Sequence, residues 1–171
     1  MTKALFLDRD GVVNVEKDYL YKIEDFEFIN GIIELCKHYQ DKDYIIVIVT
    51  NQSGIARGFY TEKDFSILTE WMINQFSLYG ISIEKVYFCP HHPDISGVCS
   101  CRKPSPGMLL DAKNDFNIDL ASSLLIGDKE RDIQAGISAG LRETYLFDAE
   151  NNCINSQATK VVTKLDQIWK I

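Results

Sequence analysis

Hydrophobic positions along the chain alternate between two rhythms. Residues 3–8, Lys-Ala-Leu-Phe-Leu-Asp, form a short, mostly apolar run ending in a carboxylate, and residues 44–50 are continuous and β-branched. The second pattern belongs to a strand covered on both faces. Residues 85–89, 123–127, 144–147 and 160–165 predict four more strands. Between them lie longer segments with helical spacing. Residues 30–39 carry Ile32, Ile33, Leu35 and Cys36; after a cap at Thr61, Phe65, Leu68, Met72, Ile73 and Phe76 follow. A third helix is expected from Ser105 as cap and Pro106 in the first turn, a fourth over 131–139 ending at Gly140, and a last turn over 167–171. Strand and helix in alternation imply an α/β fold: a mostly parallel sheet with helices on both faces. Ligands of such folds sit at the carboxyl ends of strands. Asp8 and Asp10, Thr50 and Asn51, Lys103 and Asp128 all fall there.

The 171 residues are expected to form one domain spanning 1–171, with no insertion large enough for a cap. With 46% hydrophobic and 25% charged residues, the composition excludes a disordered chain. The longest apolar run is about a third of a bilayer span, and Asp8 and Asp10 interrupt any signal-peptide core, so a cytoplasmic protein is expected. A formal charge of −7 disfavours nucleic acid and anionic membranes as partners, but not a small anion in a locally cationic cleft. A monomer is the default expectation.

Asp8 and Asp10 leave the first strand together; a turn at Gly11 either keeps both on one side or redirects the second. Asp132 follows Asp128 by one helical turn. Carboxylates converging on one crevice need a cation or protons, and oxygen-only ligands favour Mg²⁺. Cys89, Cys99 and Cys101 fall within 13 residues, beside His91 and His92. This Cys-x-His…Cys-x-Cys array suits a closed Zn²⁺ site in the loop 89–101 better than a disulfide framework, though spacing alone does not choose between the two histidines. Cys36 and Cys153 stand apart and read as ordinary small hydrophobes.

Four segments together, Phe6-Leu-Asp-Arg-Asp-Gly-Val-Val-Asn14, Thr50-Asn-Gln-Ser-Gly-Ile-Ala-Arg-Gly58, Cys101-Arg-Lys-Pro104 and Gly127-Asp-Lys-Glu-Arg-Asp132, resemble the motifs of haloacid-dehalogenase (HAD)-like phosphatases. Within them the chain is most similar to the D,D-heptose 1,7-bisphosphate phosphatase and histidinol-phosphatase branch. The resemblance runs from Leu5 to about Leu146 and implies a Rossmann-like sheet. It implies Asp8 as a nucleophile that becomes an aspartyl phosphate, and Asp10 as general acid and then base. It further implies Mg²⁺ on Asp8, Asp128 and the Asp10 backbone carbonyl, phosphate contacts from Thr50, Asn51 and Lys103, and Asp132 as a supporting acid. Lys129 matches a basic residue beside the metal ligand and is carried as a substrate contact. The same resemblance selects His91 over His92 for structural Zn²⁺ with Cys89, Cys99 and Cys101.

The segment 14–28 resembles the heptose branch more than the histidinol branch, particularly at Asn14, Tyr19 and Phe26 to Ile29. Asn14, Glu16, Gln52, Ser53, Arg57 and Arg102 are expected around a phosphorylated sugar, with Arg102 suited to a distal phosphate by its planar fork. A structural ion pair is the alternative reading of Arg57. Removal of the 7-phosphate of D-glycero-D-manno-heptose 1,7-bisphosphate is the expected activity; histidinol phosphate or a broad range of sugar phosphates is the alternative. A silent zinc-stabilised binding module is disfavoured because both Asp8 and Asp10 are present. The acidic balance argues against a nucleic-acid 3′-phosphatase.

Overall fold

In the computed structural model, which describes residues 1–153 and 155–170, six parallel strands form one sheet in the order β3-β2-β1-β4-β5-β6. These are β1 (Lys3–Leu7), β2 (Tyr44–Asn51), β3 (Ile83–Cys89), β4 (Leu124–Gly127), β5 (Glu143–Phe147) and β6 (Lys160–Val162). The helices are α1 (Ile32–Gln40), α2 (Glu62–Leu78), a single turn α3 (Pro93–Ser96), α4 (Gly107–Phe116) and α5 (Glu130–Ala139).

The two-residue period of the strands divides the core. Leu5, Leu7, Ile46 and Ile48 face α1 and α2, meeting Leu35, Met72 and Phe76. Ala4, Phe6, Val47 and Val49 face the other way onto Met108, Ala112 and Ile133 of α4 and α5. Both faces of β1 and β2 are therefore dry, as their unbroken apolar runs require. The chain moves outward from β1 to β2 and β3, then returns to pair β4 with the opposite side of β1. That reversal between β1 and β4 is the crevice where parallel sheets bind ligands.

The expected helices and strands form with shifted ends, and two shifts have clear causes. Thr61 does cap α2: its hydroxyl accepts from Asp64 N–H at 3.1 Å while the Asp64 carboxylate accepts from Thr61 N–H at 2.8 Å. Ser105, by contrast, does not cap α4, which starts after Pro106. The helix is instead pressed onto the cysteine loop, where Gly107 N–H donates to the Ser100 carbonyl at 3.1 Å, and a Cβ on Gly107 would overlap that carbonyl. The strand expected through Leu165 stops at Val162, because Gln167 Oε1 accepts from the N–H groups of Thr163 and Lys164 and draws the chain into a 3₁₀ turn at Leu165–Ile168. Ile171, the end of the expected last turn, lies outside the described residues. Among the described residues no helix is long and apolar enough to cross a membrane.

Gly107→Ala is expected to destabilise the protein by about 1–3 kcal/mol, the range of an overpacked contact with no free space. Urea unfolding would measure it, and an unchanged midpoint would show that α4 is not seated on the cysteine loop as described.

Candidate active site

The carboxyl ends of the central strands open into a cavity of about 340 Å³ whose wall includes Asp8, Asp10, Lys103, Arg57, Arg102 and Arg131. Its floor is a buried ion triad. Lys103 Nζ lies 2.7 Å from Asp8 Oδ1 and 2.7 Å from Asp132 Oδ1, and it donates to the Val49 carbonyl at 2.8 Å. The ammonium thus makes two hydrogen bonds, to Asp8 and Val49, and a close ion pair with Asp132. Asp132 is held from behind, since its Oδ2 accepts from Lys129 N–H at 3.1 Å at the start of α5. Asn51 grips the lysine backbone: its side-chain amide accepts from Lys103 N–H and donates to Lys103 C=O, both at 3.0 Å. The Asn51 side chain thus positions Lys103, while the residue also lines the cavity.

Negative charge is in excess here. Carboxylate oxygens of Asp8, Asp128 and Asp132 all lie within 4.8 Å of one another. Against them stand buried Lys103 and the half-exposed Lys129, whose Nζ is 3.3 Å from Asp128 Oδ2. Burial pushes the Asp8 carboxyl well above the usual carboxylate range; Asp132 and Asp128 add to this and Lys103 opposes it. Burial and Asp132 likewise raise Asp128. For Lys103 burial disfavours the charge, but Asp8 and Asp132 outweigh it and hold the ammonium protonated.

The turn at Gly11 keeps Asp10 on the cavity wall beside Asp8. Asp10 Oδ1 accepts from Arg9 Nη2 at 2.9 Å and Asn14 Nδ2 at 3.0 Å, and Oδ2 accepts from Gln52 Nε2 at 3.0 Å. These bonds occupy two of the residues expected around the sugar. Asn14 is fully buried off the cavity wall and holds Asp10. Gln52 reaches the wall, but its amide is consumed by Asp10, Thr50 Oγ1 and the Tyr60 hydroxyl. Thr50 is buried beneath the wall as an acceptor for Gln52, rather than lining it. Lys129 also lies off the wall, beside Asp128.

Glu16, Ser53, Arg57 and Arg102 do face the cavity. Glu16 is exposed to the cavity, and partial desolvation, then Asp10 and Asp128, raise its carboxyl. The ion pair considered for Arg57 does not form among the described residues; its Nη2 sits 3.0 Å from His92 Nε2 and its guanidinium 5.8 Å over the Tyr19 ring.

Beside the cavity, Cys89 Sγ, His91 Nδ1, Cys99 Sγ and Cys101 Sγ converge with neighbouring separations of 2.9 to 3.5 Å. His92 points away, its Nδ1 accepting from Asp94 N–H. Burial resists ionisation of Cys99, yet bonds from the Arg102 N–H and the neighbouring thiols prevail and bring it down to about 6. Burial and a bond to Cys101 push Cys89 up.

A family model for HAD-hydrolase-like proteins matches residues 100–146. The chain is 52% identical over 149 residues to the D-glycero-alpha-D-manno-heptose-1,7-bisphosphate 7-phosphatase of Campylobacter jejuni, covering 87% of this chain and 84% of that protein. To the corresponding beta enzyme of Yersinia pestis it is 50% identical over 143 residues, 81% of this chain and 76% of that one. The chain belongs to the heptose bisphosphate phosphatase branch of the HAD-like hydrolases. The fold agrees: the D,D-heptose bisphosphate phosphatase of B. bronchiseptica, solved with magnesium and phosphate, superposes with a TM-score of 0.84 at 31% identity, covering 98% of this chain and 96% of that one.

Three residues of this HAD-like site escape the sequence reading. Arg9 looks like a linker between two aspartates, yet it is fully buried and its Nη2 ties Asp10 to the Leu20 carbonyl. Tyr60 is hidden behind Gln52. Arg131 lies in the first turn of α5, just after the strand-end Asp128, and faces the cavity.

In metal-free protein a carboxylate with a raised pKa stabilises the fold only while protonated, and that stability is lost as pH rises through its folded pKa. Asp128→Asn is therefore expected to raise the melting temperature in EDTA by a few degrees at pH 7. The gain should vanish near pH 4, where wild type is itself protonated. A thermal shift series over pH tests this; an equal gain at both ends would remove charge repulsion as the cause.

Proposed function

We propose that this protein removes the 7-phosphate from D-glycero-D-manno-heptose 1,7-bisphosphate by two-step, Mg²⁺-dependent transfer through Asp8. The observation that carries the reading is the pairing of Asp8 with a buried ammonium at 2.7 Å, next to a second carboxylate on the same wall. Asp8 attacks phosphorus and the bond to the sugar oxygen breaks, leaving an aspartyl phosphate. Asp10, kept apart from Asp8 by its own three donors, gives a proton to the departing alkoxide. It then takes one from the water that hydrolyses the acyl phosphate, restoring both residues. Lys103 opposes the protonation that burial favours at Asp8, and its charge lies where the phosphoryl oxygens gather negative charge.

The donor set fits a hard cation. Asp132 has both oxygens engaged, which leaves Asp8 and Asp128 as the side-chain ligands. At Gly11 a Cβ would overlap the Asp128 carboxylate, so the Asp10–Gly11 backbone passes close enough for the Asp10 carbonyl to serve as a third ligand. Mg²⁺ bound there supplies the positive charge that lets one anion approach another.

The cysteine cluster fits structural Zn²⁺: three thiols and one imidazole nitrogen in a closed group, one thiol already acidic. Its place in the reaction is indirect, through Arg102 and Lys103, which follow Cys101 directly. Reduced thiols at such a site suit a reducing cytoplasm.

A bisphosphate needs a second anion site, and the wall provides one. Arg57, Arg102 and Arg131 face the cavity, and none has a carboxylate partner among the described residues. Glu16 and Asp18 offer acceptors to sugar hydroxyls from the same wall. Phosphate release from the 1β,7- and 1α,7-bisphosphates and from histidinol phosphate tests the substrate. A preference in kcat/KM of tenfold or more, about 1.4 kcal/mol, for either heptose ester is expected, and comparable rates on all three would remove the heptose assignment. Arg102→Ala should raise KM for the bisphosphate about tenfold with kcat little changed, since it removes binding shared by ground and transition states. Complete zinc removal should lower the melting temperature and raise KM before it lowers kcat; unchanged melting and kinetics would contradict a structural zinc.

A further inference from the structure

We propose that Tyr60 is a positioning residue for the reaction, acting through Gln52 to set the direction of the Asp10 carboxylate. The inference rests on Asp10 as the proton donor described above.

Gln52 has every polar atom of its amide in use. Nε2 donates to Asp10 Oδ2 at 3.0 Å and to Thr50 Oγ1 at 2.9 Å, while Oε1 accepts from the Tyr60 hydroxyl. Its backbone N–H is tied to the Cys89 carbonyl at 2.8 Å, so the residue is fixed at both ends. Arg9 and Asn14 hold only Oδ1 of Asp10. Among the described side chains, Gln52 alone sets the direction of Oδ2.

An amide is nearly symmetric in shape, so something must decide which end faces Asp10. Asp10, which as a carboxylate only accepts, takes Nε2, and Tyr60 pins the opposite end by donating to Oε1. The phenol is built to stay there. Its ring stacks on Tyr21 with centroids 5.3 Å apart and planes 13° from parallel, and it is 95% buried. Gly54 closes the other side, where a Cβ would overlap the ring. Burial holds the hydroxyl protonated, its pKa pushed up to about 12. Without that hydroxyl Oε1 is left buried and unpaired, and the amide is free to turn. Small errors in the direction of a proton donor are costly because transfer depends on alignment with the leaving oxygen.

The test compares leaving groups in the full-length Mg²⁺ enzyme. An alkyl ester such as heptose bisphosphate leaves as an alkoxide and needs the Asp10 proton; 4-nitrophenyl phosphate leaves as a stabilised phenolate and does not. Tyr60→Phe is expected to lower kcat on the alkyl ester about tenfold, part of the roughly 10²–10⁴ a positioned acid contributes, with KM within about twofold. On 4-nitrophenyl phosphate kcat/KM should fall less than about twofold. In a Gln52→Leu background Tyr60→Phe should add little, since both act on one carboxylate. Gly54→Ala, which displaces the ring, should reproduce the leaving-group pattern. Equal losses on both substrates, or additive losses with Gln52→Leu, would overturn the role of Tyr60. If wild type prefers histidinol phosphate, that alkyl ester replaces the heptose and only the substrate reading fails. If wild type cleaves no alkyl phosphate, the proton-donor reading fails and this inference with it.

Discussion

The site depends on one buried ammonium shared between two carboxylates. Lys103 reaches Asp8 and Asp132 at the same 2.7 Å, in a place sealed from water. Ion groups buried in this way are poor stabilisers, because desolvation of each charge cancels much of their attraction. The arrangement makes sense as preparation for chemistry. A buried carboxylate left alone would take up a proton and lose its nucleophilicity, and Asp8 is pushed in that direction by burial and by two neighbouring acids. Lys103 is the protein's own counterweight, and the cation proposed at Asp128 completes it.

Much of the remaining structure serves to place that ammonium. Lys103 comes from a loop with little apolar material, so packing cannot fix it. Backbone bonds to Asn51 hold it from β2, Asp132 holds it from α5, and the cysteine cluster fixes the chain two residues before it. Gly107 lets α4 pack onto the same loop from the far side. Elements from distant parts of the sequence converge on this one short loop. The cysteine cluster is thus coupled to catalysis by geometry: Cys89 carries the carbonyl that anchors Gln52, and Cys101 adjoins the arginine that faces the cavity.

The sequence made the strand ends legible, because apolar runs that stop at Asp8, Thr50 and Asp128 are visible without coordinates. It made the Cys89, Cys99 and Cys101 grouping legible for the same reason, and it left His91 and His92 unresolved because adjacent residues share one spacing. It did not reveal saturation. Asn14, Asn51 and Gln52 are polar residues near a polar site, and nothing in their type or spacing says that their amides are already consumed by Asp10 and Lys103. Nor does the type or spacing of Arg9, set between two aspartates, reveal that it is fully buried. The misplaced cap at Ser105 shows the same limit at the backbone level: the local signal for a helix start was overruled by a contact with Ser100, outside its window.

These saturated amides explain how a site without a large cap keeps its two carboxylates distinct. Asp8 and Asp10 are two residues apart and share a wall, yet they play different parts in the first step. Their surroundings separate them. Asp8 faces an ammonium and other acids at the base of the cavity; Asp10 is clasped by a guanidinium and two amides. The two sets of partners are distinct, so neither carboxylate can exchange partners with the other without breaking buried hydrogen bonds. Rigidity on this floor leaves the wall free to vary, and the wall carries Glu16, Ser53 and the three arginines on short loops and a helix start. A change of substrate within such a scaffold needs only changes on the wall, whereas a change on the floor loses the chemistry itself.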